Sequence, residues 1–71
     1  MKGPKNRLKV LRADKNLSQL DLAVKAGIKE YRYWRIENGY VIPTDDERAA
    51  IAKALKVTIA EVWPEPVAAV A

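Results

Sequence analysis

The stretch from Ser18 to Gly39, SQLDLAVKAGIKEYRYWRIENG, leaves few folds open to this chain. It reads as two short helices meeting at one tight corner. Ser18 suits an N-cap, because its hydroxyl can accept from a free backbone N–H of the first turn, and Asp21 three residues on completes a capping box. Leu22, Ala23 and Ala26 recur at helical spacing and leave one apolar stripe. Gly27 falls where a left-handed residue closes a helix without a Cβ clash. Beyond Ile28 a second helix carries Tyr33, Ile36 and Glu37 on one side. Asn38-Gly39 ends it with two residue types that tolerate positive φ.

Two capped helices around a glycine corner make a helix-turn-helix, the arrangement that presents its second helix to a DNA major groove. The flanks supply the rest of an all-helical fold. Leu8, Leu11 and Arg12 share one face of a first helix that ends near Asp14 or Lys15, with Pro4 in its first turn. Lys2, Lys5, Arg7, Lys9, Arg12 and Lys15 stand there against a single acid, Asp14. That is either a solvated basic face or one that lies over a phosphate backbone. Asn16-Leu17 turns into the second helix, where Leu20 and Val24 form an i,i+4 pair facing away from the core stripe. They are isolated surface aliphatics or a partner surface. After Gly39, Tyr40-Val41-Ile42-Pro43 is a loop ending at proline. Thr44-Asp45-Asp46-Glu47 is a second capping box with acids in the first turn. The helix it starts runs to about Lys56 and buries Ile51, Ala52 and Leu55. Thr58 caps a short fifth helix that turns Ile59, Val62 and Trp63 inward, and Pro64 and Pro66 stop it.

These elements predict an all-α, five-helix, lambda-repressor-like fold without strands. The expected core is Leu8, Leu11, Leu17, Leu22, Ala23, Ile28, Tyr33, Ile36, Ile51, Leu55, Val57, Ile59 and Val62. At 71 residues the chain is one domain, residues 1–66, followed by a short apolar tail, 67–71, expected to fray. It has no Cys and no His, so neither a disulfide nor a thiolate or imidazole metal site is open to it, and no cofactor is expected. The same lack, with no Gly-rich phosphate loop, argues against an enzyme. A net charge of +4 and a pI of about 9.6 suit a polyanionic partner. With no apolar run of membrane-spanning length and no signal-peptide core in MKGPKNRLKV, the expected place is the cytoplasm. No small-molecule ligand is evident.

Helical geometry sorts the second helix of the motif. With Tyr33, Ile36 and Glu37 turned to the core, Tyr31, Trp34, Arg35 and Asn38 lie opposite, and Lys29, Glu30 and Arg32 stand at the start and flanks. Arg35 can fork onto guanine O6 and N7, and Glu30 can accept from cytosine N4. Tyr31 and Trp34 suit thymine methyls, deoxyribose or phosphate. The alternative for both rings is core packing, and Trp34, at an intermediate angle, could lie over the edge of the preceding helix. Ser18 and Gln19, at the start of that helix, are placed to meet phosphate with its free N–H groups, and Lys29 and Arg32 should do likewise.

The ordered set S-Q-x-x-L-A-x-x-A-G-I, then R-I-E-N-G, then proline four residues past the glycine, resembles the Xre/Cro/phage-repressor class. The resemblance extends to LRADKNLS and IAKALKVTIAEVW, covering about Leu8 to Trp63. It implies that Glu30, Tyr31 and Arg35 occupy base-reading positions and that Gln19 braces the backbone. A small polar residue usual at the start of the reading helix is replaced by Lys29, which weakens its N-cap. In lambdoid phage repressors the residues matching Arg12 and Glu37 form a buried ion pair. Each lies on its helix's apolar face here, where a lone charge is costly; two independent surface charges are the alternative. The function implied is sequence-specific binding of double-stranded DNA by a homodimeric transcriptional regulator on a palindromic site, with dimerisation through the turn before Thr58, the fifth helix and the tail. The alternative is a protein-interaction module of the kind found among bridging factors and antitoxins.

Overall fold

The structure, a computed structural model, describes residues 3–64. Five helices form among them and no strand: α1 Leu8–Asp14, α2 Gln19–Ala26, α3 Glu30–Glu37, α4 Asp45–Leu55 and α5 Ile59–Val62. Local chemistry explains most of their starts. Ser18 and Thr44 each accept from the backbone N–H three residues on and receive the returning carboxylate, Asp21 in α2 and Glu47 in α4. Thr58 caps α5 through the Glu61 N–H. Lys29 precedes α3 without any side-chain cap, as its chemistry requires. Pro4 lies outside the first helix rather than in its first turn. α1 begins at Leu8, whose N–H is taken by Asn6 Oδ1 at 3.0 Å.

The ends of α1 to α4 share one device. Asn16, Gly27, Gly39 and Lys56 adopt left-handed φ of 58°, 71°, 76° and 59°. After each, the next N–H reaches back five residues: Leu17 to Arg12 O, Ile28 to Ala23 O, Tyr40 to Arg35 O and Val57 to Ala52 O. This Schellman closure satisfies carbonyls the helix leaves free and carries an apolar residue just past the end. Three of those residues, Leu17, Ile28 and Val57, lie half-buried against the core. They were expected inside it, but a residue that follows a helix end is covered from one side only. The left-handed conformations of Asn16 and Lys56 had no glycine to announce them.

The core itself consists of Leu8, Leu11, Leu22, Ala23, Tyr33, Ile36, Ile51, Ala52, Leu55, Val62 and Trp63. α2 packs on both α3 and α4, and α4 on α5. Ile59 departs from expectation: it is 43% exposed. It stands at the outer end of a single-turn helix, and burial passes to Val62 and Trp63 at the other end. The residues 65–71, with the expected apolar tail, lie outside the described part of the chain.

One buried carboxylate ties α1, α2 and α3 together. Glu37 has a fully buried side chain, and that of Arg12 is 17% exposed. Arg12 Nε donates to Oε1 at 2.8 Å and Nη2 to Oε2 at 3.0 Å. Tyr33 OH and Gln19 Nε2 donate to the same carboxylate at 2.7 and 3.0 Å. Arg12 Nη1 also reaches the Leu17 carbonyl at 2.9 Å, clamping the α1–α2 turn. Burial alone would push the Glu37 carboxyl up; the hydrogen bonds from Arg12, Tyr33 and Gln19 outweigh it and hold it below the usual range. Burial, and then the bond to Glu37, push the Tyr33 phenol up.

Three outcomes follow for denaturation experiments. Glu37→Ala should cost roughly 3–5 kcal/mol, because it strands the Arg12 charge among apolar side chains; a loss under about 0.5 kcal/mol would show surface behaviour. Since the folded Glu37 carboxyl titrates below its unfolded value of about 4.3, its contribution is complete above that pH and is lost as acid carries the solution down through the folded value. Urea melts between neutral pH and pH 3 should show this decline, and it should be smaller in Glu37→Gln. Lys56→Gly should raise stability by about 1 kcal/mol, as glycine relieves the left-handed strain at an exposed position but loosens the unfolded chain.

Candidate nucleic-acid interface

The inner face of α3 is bolted down by Tyr33, Ile36 and Glu37, all buried, and Arg32 reaches across to α4. Glu30 and Tyr31 in the first turn are exposed, and Arg35, a turn later, is half-buried. Tyr31, Trp34 and Tyr40 are 70%, 39% and 53% exposed. The Tyr31 and Trp34 rings lie nearly parallel, 15° apart with centroids at 6.2 Å, and Tyr40 tilts against Trp34 at 5.3 Å. The Arg35 guanidinium sits 5.7 Å from the Tyr31 centroid, within cation–π range. A cleft opens between Gln19, Glu30, Tyr31 and Trp34.

The other expected contact residues are more engaged than sequence suggested. The Ser18 hydroxyl is committed to the Asp21 N–H at 2.9 Å. Gln19 opens α2 but its amide nitrogen is spent on Glu37. Asn38 donates from its side chain to the Trp34 carbonyl at 2.9 Å, finishing α3. Lys29 is exposed at the start of α3. Arg32 differs most. Its Nε and Nη2 both bond Glu47 at 2.9 Å, bridging α3 to the start of α4. Those bonds hold the Glu47 carboxyl below the usual carboxylate range, while Glu47 also accepts from the Thr44 N–H at 2.8 Å. The guanidinium expected to meet phosphate already has a carboxylate partner, one that sequence assigned only to the capping box.

Sequence reasoning also missed Asn6 and Tyr40. Asn6 Nδ2 donates to the carbonyls of Ile36 and Glu37 at 3.3 and 3.1 Å, and Gly3 N–H to Gly39 O at 2.7 Å. The N-terminal segment thus straps the end of α3. A Cβ on Gly3 would meet Val41 O at 2.1 Å, so this approach requires glycine. Tyr40 follows from a readable signal. In a Schellman closure the residue past the left-handed glycine packs back on the last turn, and the turn after Asn38-Gly39 meets Trp34.

Exposed basic side chains elsewhere include Lys5, Arg7, Lys9, Lys15 and Lys25, with Lys29 at the start of α3. Among the described residues no three His, Cys, Asp or Glu side chains gather as a metal site, and no helix is long and apolar enough to cross a membrane.

A short α2, a left-handed glycine corner and an outward-facing α3 define a helix-turn-helix protein of the small five-helix class. The chain matches the helix-turn-helix family over residues 8–62, and it belongs to that family in its Xre/Cro/C1-type form, a family of DNA-binding regulators. No curated protein matches it.

Lys29 and Arg32 should separate by experiment. For duplex binding titrated over salt, Lys29→Ala should shallow the log–log slope by about 0.9 for each phosphate that Lys29 neutralises. Arg32→Ala should leave the slope nearly unchanged and instead cost up to about 1 kcal/mol of stability, as for a part-exposed ion pair.

Proposed function

We propose that this chain is a sequence-specific, double-stranded DNA-binding transcriptional regulator that acts as a homodimer on a palindromic operator in the cytoplasm. The observation that carries the reading is the division of α3. Its inner residues are locked by burial and by the Arg12–Glu37 network, while Glu30, Tyr31 and Trp34 are left exposed and Arg35 half-buried on the other side of the helix. A helix of that kind fits a major groove, where Arg35 pairs with guanine and Glu30 with an amino donor. Lys29 and the start of α2 around Ser18 and Gln19 would position it on phosphate, with Asn38 at the far end. The functional domain is taken as residues 1–66. Dimerisation through the Val57–Thr58 turn and α5 has support in exposed Ile59.

The exposed Leu20 and Val24 on α2 favour a second reading, a protein-interaction module on the same fold. The two readings part on duplex DNA. Selection from random duplexes, followed by salt titration, should enrich a two-fold symmetric sequence bound with steep salt dependence; no binding at low salt would leave the protein partner as the function. On the enriched site Arg35→Ala should cost roughly 1–3 kcal/mol, and far less on scrambled DNA. Sedimentation should show two chains per palindromic duplex; one chain per duplex would remove the dimer.

A further inference from the structure

The cleft on the outer face of α3 sets two unlike chemistries side by side. Glu30 contributes a carboxylate that forms no hydrogen bond or ion pair among the described residues. Tyr31 and Trp34 contribute apolar ring faces, held nearly parallel, with Gln19 at the margin. Tyr31 is braced by Arg35 and Trp34 by Tyr40, so the rings form a set wall rather than two free rotors. An unpaired carboxylate on a surface that meets phosphates is a cost unless it finds a donor, and so large an apolar exposure asks for an apolar partner.

The major-groove edges of the bases narrow what satisfies both. A carboxylate rejects guanine, which shows two acceptors, and thymine, whose methyl adjoins the O4 acceptor. Adenine offers the N6 donor, but with the N7 acceptor beside it and no methyl. Cytosine offers the N4 donor next to C5, and C5 is the ring position a methyl group can occupy. From this complementarity we infer that the Glu30–Tyr31–Trp34 cleft reads 5-methylcytosine in duplex DNA, Glu30 accepting from N4 while the wall of Tyr31 and Trp34 packs against the methyl group. The inference rests on the duplex-binding function proposed above and names the base that function reads.

The test uses random-core duplex pools synthesised with cytosine or with 5-methylcytosine. Enriched sequences are then remade with cytosine, 5-methylcytosine or thymine at each candidate position. The full chain should bind the methylated duplex about fourfold more tightly than its cytosine counterpart, the effect of burying one methyl-sized group. Thymine at the same position should weaken binding roughly 5- to 150-fold despite carrying the methyl, because O4 faces the carboxylate. Trp34→Ala, a change at an exposed ring whose helicity is checked by circular dichroism, should equalise cytosine and 5-methylcytosine while keeping both ahead of thymine. Glu30→Gln, able to donate as well as accept, should shrink the gap between 5-methylcytosine and thymine. Binding that ignores the methyl group, or a methyl preference that persists in Trp34→Ala, overturns the inference and leaves duplex binding standing. A chain that binds no duplex overturns both.

Discussion

The carboxylate of Glu37 is the point through which three helices are joined. It sits in the last turn of α3 with no exposure and receives two bonds from Arg12 of α1, one from Tyr33 of its own helix and one from Gln19 at the start of α2. A buried ion pair adds little net stability, since desolvation offsets most of the attraction. Its effect is on geometry. The three donors that come from other helices, two on Arg12 and one on Gln19, hold the rotation of α3 about its axis more narrowly than an apolar contact would. That rotation decides which residues face outward, so the identity of the outer face of α3 depends on a group buried at the opposite side.

The helix ends extend the same economy. Four Schellman closures place Leu17, Ile28, Tyr40 and Val57 past their helices, and three of these cover the core. The third in chain order does otherwise. Tyr40 turns to Trp34, and a closure that serves packing elsewhere here builds part of the outward face. The strap of Gly3 and Asn6 across the end of α3 anchors the same turn from the other side. A folding device and the outward aromatic row thus share residues.

The chain's charges divide in the same way. Arg12, Arg32 and Arg48 are in ion pairs within the fold, with Glu37, Glu47 and Asp45. The lysines among the described residues stay exposed. Arginine's planar fork suits bidentate pairing with a carboxylate, while lysine's hydrated point charge suits a mobile phosphate contact. Arg35 is the arginine of α3 left outside such a pair, resting on an aromatic ring.

What sequence by itself determined were the features set by near neighbours along the chain. The caps at Ser18, Thr44 and Thr58, the left-handed glycines and the period of Leu22, Tyr33, Ile36, Ile51 and Leu55 depend on residues within a turn or two, so local chemistry suffices. The Arg12–Glu37 pair was legible through the resemblance to lambdoid phage repressors, with which the place of each charge on an apolar face agreed. Tertiary structure decided the rest, because it turned on contacts between distant segments that no period encodes. Gln19 could serve phosphate or Glu37, Arg32 could serve phosphate or Glu47, and Asn6 could cap any free carbonyl; each choice is made by which group lies within about 3 Å once the helices have packed. Ile59 had the right residue type and spacing for the core, but spacing cannot tell a one-turn helix which of its ends the rest of the molecule covers.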